Sequence, residues 1–156
     1  MVSLEVLAIL LSGIGISASL FYYSNVLRNA NKTRQMQLFM QFYSKLTDKQ
    51  FYTEFMKLRA QTWTDLDDYI EKYGSGPELF SIFLEGIGLL VKRKEIDIEL
   101  VDDLMSSLIL GHWDARGELI LGLRGRLGKP QVGEWTEYLV KEIQRVASKQ
   151  HPELAT

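Results

Sequence analysis

Cysteine is absent from this chain of 156 residues. That excludes a disulfide framework, a thiolate metal site and a cysteine nucleophile, and it suits a reducing compartment. Histidine is nearly absent too. His112 and His151 stand far apart in sequence, which argues against zinc and di-iron centres. No strand-like alternation and no internal repeat interrupts the chain. The net charge is −2 and no extended basic face is evident, so nucleic acid is not an expected partner. No catalytic residue, cofactor-binding residue or metal ligand is assigned, and no cofactor is implied.

Charge is missing from one stretch in particular. Between Val6 and Leu27 there is no Asp, Glu, Lys or Arg. About 22 helical residues span about 33 Å, enough for a hydrocarbon core of about 30 Å. Tyr22 and Tyr23 lie near the end of the stretch, where amphipathic rings favour a lipid interface. Arg28, Lys32 and Arg34 follow at once and suit anionic headgroups. The charge is uneven overall, +3 over residues 1–49 and −5 over 50–156. Basic flanks stay inside, so the expectation is a single transmembrane helix over about 6–27, N-terminus outside and the rest cytoplasmic in a cell membrane. A cleaved signal peptide is the competing reading, with small residues at Ser17-Ala18-Ser19. It is disfavoured because Met1 to Glu5 has no basic residue and carries an acid. A buried core helix is also disfavoured, since so long a run rarely lacks charge in a small soluble fold.

Within that stretch Ala8, Ser12, Gly15 and Ser19 fall at spacings of four, three and four. Small residues let helices approach closely in lipid. They mark an expected packing face for a second copy or another subunit.

Beyond the anchor the pattern is helical throughout. Met36, Phe39, Met40, Tyr43 and Leu46 recur at three- and four-residue steps, so the anchor is expected to continue as a stalk to about residue 46. Asn29, Asn31 and Thr33 are weak helix formers that could bend it. Thr47 with Gln50 reads as a capping box, opening a helix over about 48–62. Thr64 is the expected N-cap of a short helix that ends at Gly74. Pro77 suits the first position of an apolar helix reaching about Arg93. Asp97 reads as the next N-cap. Residues 111–130 hold Gly111, Gly117, Gly122, Gly125 and Gly128 and fit either helix or a mixture of helix and loop. A last helix covers about 133–149, and 151–156 forms a frayed tail. The expected fold is all-α: an anchor and stalk over 1–46, then a bundle of four to five helices over 47–150.

Leu84-Glu85-Gly86-Ile87-Gly88, then Val91, Ile96-Asp97, Trp113 and Tyr138-Leu139, resembles an uncharacterised family of small prokaryotic proteins with one N-terminal membrane helix and a cytoplasmic helical domain. The resemblance spans most of the chain and implies that architecture. It implies no activity, because the family offers none to carry over. By the same resemblance Arg59 corresponds to the family's arginine in the second helix, and Arg124 to a second arginine.

Four clusters invite a chemical reading. Glu85 interrupts the apolar run from Phe80 to Val91, and a buried carboxylate needs a partner. Arg59 is the natural one, and the pair is expected to fix helix register. His112-Trp113-Asp114 looks like part of a site, although a lone His is more often structural. Asp65, Asp67 and Asp68 lack the later Glu of a calcium loop. Gly122, Gly125 and Gly128 with Arg124, Arg126 and Lys129 lack the ending of a phosphate-binding loop. The expected role is a non-catalytic, membrane-anchored interaction module or accessory subunit, with lipid and a protein partner or a second copy as partners. The alternatives are a homo-oligomeric sensor or pore built through the anchor, and a lipid-proximal enzyme using Glu85 and Arg59.

Overall fold

The computed structural model describes residues 3–76 and 78–150, with the Gln150 side chain left out. Among these residues there are six helices and no strand, as expected for an all-α chain. Pro77, His151, Pro152 and the tail over 151–156 lie outside the described residues. The chain divides into two compact units, Met1–Gln37 and Leu38–Thr156.

Helix α1 runs from Leu4 to Leu46. Nothing in its sequence stops it before Thr47. The weak formers Asn29, Asn31 and Thr33 do not interrupt it, and Thr33 Oγ1 donates to the Asn29 carbonyl at 3.1 Å. In the first unit its apolar side chains are exposed, Leu4 at 86%, Ile9 at 70% and Phe21 at 73%. Of the helices described, α1 is the one long and apolar enough to cross a membrane.

The second unit begins inside α1. Phe39 is fully buried, and Leu38, Phe42, Tyr43 and Leu46 pack against the same core. Met36 and Met40, which the sequence placed on this face, are about half exposed. The inward stripe is rotated toward the larger aromatic rings, which bury more apolar area.

Helix α2 covers Lys49–Arg59. Asp48 caps it rather than Thr47, accepting from the Phe51 amide at 2.9 Å. A carboxylate at a helix start also meets the positive end of the helix dipole. Helix α3, Leu66–Tyr73, is capped by Asp65. Thr64, the expected cap, instead donates its amide to Asp68 at 2.9 Å. Gly74 ends α3 with φ +83°, as expected.

Helix α4, Leu79–Lys92, supplies much of the core through Phe80, Phe83, Leu84, Ile87 and Val91. The rings of Phe55 and Phe80 lie 4.5 Å apart, and those of Phe51 and Phe83 5.2 Å apart. Helix α5 runs unbroken from Ile98 to Leu127, with Asp97 as its cap. The glycines at 111, 117, 122 and 125 are all helical. Gly128 then ends the helix in the left-handed region at φ +60°, where glycine carries no Cβ penalty. Helix α6 covers Glu134–Gln150 and packs against α4 and α5.

Gly88 sets how closely α4 and α6 approach. A Cβ at that position would collide with the backbone carbonyl of Trp135. A second, smaller cluster of Tyr69, Leu119 and Leu123, with Trp63, Leu66, Ile70 and Val132 against it, joins α3 to the later half of α5.

Candidate functional site

The centre of polar chemistry in the second unit is Arg116. It lies in the register of the buried α5 residues Val101, Met105, Ile109, His112, Leu119 and Leu123, and its side chain is 4% exposed. A guanidinium so deeply buried must be paired and hydrogen-bonded. Arg116 Nη1 binds Glu78 Oε1, and Nη2 donates to the Leu58 carbonyl and, at 3.1 Å, to Gln61 Oε1. The guanidinium lies over the Trp63 ring, 4.8 Å from its centroid. Tyr69 Oη donates to Glu78 at 2.7 Å. Burial first, and then that bond to a carboxylate, push the Tyr69 phenol well above its usual range. Glu78 occupies the cap position of α4 yet makes no cap bond, because its carboxylate serves Arg116 and Tyr69.

One turn before Arg116, His112 is buried beneath Phe80, edge to face at 4.9 Å. Its Nε2 shares a hydrogen bond with Ser81 Oγ at 3.3 Å. Burial, reinforced by the positive charge of Arg116, pushes its pKa down to about 4. The ring is therefore neutral at physiological pH. No carboxylate hydrogen-bonds this ring among the described residues, so the Ser81–His112 pair lacks the orienting acid of a nucleophilic triad.

Two cavities meet at Arg116. The larger, about 490 Å³, is mostly apolar, lined by Tyr69, Ile82, Leu119, Ile120, Leu123 and Val132, with Glu78 and Glu85 as its acids. The smaller, about 290 Å³, is lined by Phe55, Arg59, Gln61, Trp63, His112 and Arg116 together with four small or neutral residues. It has no acidic lining residue.

The expected Arg59–Glu85 pair does not form. Glu85 accepts from the Thr136 amide and hydroxyl, both at 2.7 Å, and from the Trp135 amide at 3.4 Å. It caps α6 from α4, where the free amides and the positive end of the helix dipole favour a carboxylate. Arg59 is exposed at the end of α2, its guanidinium 6.0 Å from the Phe55 centroid. The buried ion pair of this protein is Arg116–Glu78.

His112, Trp113 and Asp114 do not share a site. His112 is buried, Trp113 packs on Gly117, and Asp114 is exposed. Asp65 caps α3, Asp68 binds Lys72 at 2.8 Å, and Asp67 binds Arg126 at 2.5 Å. The glycine-bearing segment around Arg124 is helix rather than a phosphate-binding turn. Arg124 Nε donates to the Val132 carbonyl at 2.9 Å, and its Nη1 lies 2.9 Å from Glu137.

In the first unit Ala8, Ser12, Gly15 and Ser19 are exposed, as are Arg28, Lys32 and Arg34. A Cβ at Gly15 would meet nothing within 4 Å. Ser19 Oγ donates to the Gly15 carbonyl at 2.8 Å, so its hydroxyl is satisfied inside its own helix.

Sequence reasoning missed Arg116 and Glu78. The signal for Arg116 was there, since it falls in phase with the apolar residues of α5. Glu78 gave none, because it lies just outside its helix and its partner is 38 residues away. No protein-family model, no curated protein and no solved structure matches this chain.

Proposed function

We propose that this chain is a membrane-tethered helical interaction module without catalytic activity of its own, holding a partner protein at the cytoplasmic face. The observation that carries the reading is the exposed apolar surface of α1 from Leu4 to Leu27. Water is a poor solvent for so large a surface, whereas lipid is a good one. Two polar side chains there are satisfied without water: Ser19 and Asn25 both hydrogen-bond carbonyls of their own helix. Arg28, Lys32 and Arg34 favour an inside position for the C-terminal side, which supports the reading of the second unit as a cytoplasmic bundle. The order of motifs that resembles a membrane-anchored family is in keeping with this.

A non-catalytic role is supported by His112, neutral and without an acid, and by Glu85, which is committed to capping α6. The test is alkaline carbonate extraction of host membranes, followed by native mass spectrometry of the full chain in mild detergent. Retention in the membrane and a heteromeric complex are the expected results. Release by carbonate, or a bare monomer in detergent, would overturn the proposal.

A second reading, self-association through Ala8, Ser12, Gly15 and Ser19, is favoured by the open space around Gly15. It predicts homo-oligomers in the same spectra that dissociate in Gly15→Leu.

A further inference from the structure

The two cavities beside Arg116 differ in charge. The larger contains Glu78, the carboxylate that neutralises Arg116. The smaller has no carboxylate in its lining and contains two guanidinium groups, Arg116, whose Nη1 and Nη2 are engaged by Glu78, Leu58 and Gln61, and Arg59. Arg59 makes no salt bridge among the described residues, and its charge therefore falls on the mouth of the smaller cavity. Arg59 is held over the Phe55 ring. An arginine held by its face offers its edge, and that fork is the part that recognises an oxyanion. Phe55, Trp63 and Leu108 supply apolar wall. Gly111 opens the α5 side, where a Cβ would meet nothing within 4 Å.

We propose that this smaller cavity binds a compact oxyanion, a phosphate or carboxylate, that carries an apolar group. Arg59 holds the oxyanion, and the Phe55 and Trp63 side holds the apolar part. The inference does not rest on the tethering reading, because every residue it uses lies in the second unit. The volume suits a small organic acid or phosphate monoester, at the lower edge of ordinary ligand sites. The same chemistry exists free in water and at the headgroup of an anionic lipid.

The full chain in phosphatidylcholine nanodiscs, titrated calorimetrically with phenyl phosphate and with inorganic phosphate, tests the proposal. Saturable binding of phenyl phosphate at millimolar concentration or below is expected, tighter than that of inorganic phosphate. Arg59→Ala should weaken it by roughly tenfold or more, as loss of a charge-assisted hydrogen bond requires. Arg59 is exposed, so the fold should survive. Gly111→Leu should abolish binding by filling the cavity, without meeting the protein's own atoms at Cβ. Repeating the titration with phosphatidic acid in the disc identifies the source: competition assigns the site to a headgroup, and unchanged binding to a soluble ligand. No saturable binding to phenyl phosphate or phosphatidic acid, or binding that neither variant weakens, would overturn the proposal.

Discussion

Helix α4 and the first part of α1 are both apolar runs, yet they keep opposite company. Phe80, Leu84 and Ile87 of α4 are at most 1% exposed, whereas Leu4, Ile9 and Phe21 of α1 are 70% exposed or more. Hydropathy says only that a side chain leaves water at a profit of about 25 cal/mol per Å². What it moves into depends on the neighbours. In α4 those neighbours are encoded in detail: Gly88 admits the backbone of Trp135, Gly86 admits Phe42, and Glu85 caps α6. The glycines of α1 before Gln37 show no such detail. Gly13 and Gly15 face open space, and lipid would require nothing more specific.

By that contrast, substitutions in the second unit should be costly and comparable ones in α1 before Gln37 should leave the second unit's stability unchanged. The largest effect is expected at Arg116→Met, which leaves Glu78 buried without its partner and should cost about 3–5 kcal/mol in urea denaturation. Adding Glu78→Gln should recover part of it, and a double variant no better than the single one would refute the pairing argument.

Acid comes next. Folding lowers the His112 pKa from 6.5 to about 4. Below pH 6.5 the unfolded chain takes up a proton that the folded chain refuses, so stability falls between pH 6.5 and 4 and this contribution is flat beneath that. The total is about 3 kcal/mol. His112→Gln should remove that slope, and a slope of the same size in the variant would show that other groups carry it.

Gly88→Ala should cost about 1–3 kcal/mol by forcing α4 and α6 apart, while Gly15→Ala should leave the melting of the second unit where it was. Equal shifts from the two would erase the distinction between the regions. Smallest is Glu85→Ala, at about 1–2 kcal/mol for a lost helix cap, with Glu85→Gln milder because an oxygen acceptor remains. Coincident melting of Glu85→Ala and the parent protein would show that the cap is idle.

Much of the fold was legible in sequence. Periodicity located the helices, Gly74 and Asp97 were read correctly as boundaries, and the uncharged run from Val6 to Leu27 marked the one described helix long and apolar enough to cross a membrane. Two caps fell one residue away, at Asp48 and Asp65, because a carboxylate beside a threonine competes for the same amides. The stretch over 111–130 stayed open in sequence because helix propensity penalises its glycines, and only packing decides. Gly117 lies against Trp113 and Gly122 against Leu66.

The site was less legible than the fold. Pairing Glu85 with the natural arginine used the right rule on the wrong acid. A sequence does not show that amides 50 residues away will satisfy Glu85, nor that Glu78 will turn from its own helix start toward Arg116.

Arg116 has a topological consequence as well. Its bonds join residues 38, 55 and 58 positions apart along the chain. One planar group thus closes three long loops at a single knot. Cross-links that close long loops act chiefly by restricting the unfolded chain, and secreted proteins use disulfides for that purpose. The Arg116 guanidinium joins comparable loops here, but its bonds are lost on unfolding and leave the unfolded chain unrestricted. Unlike a covalent staple, it holds the ends of α2 and the start of α4 only while the interior is assembled, so it lends cooperativity to folding and lets go all at once when the core opens.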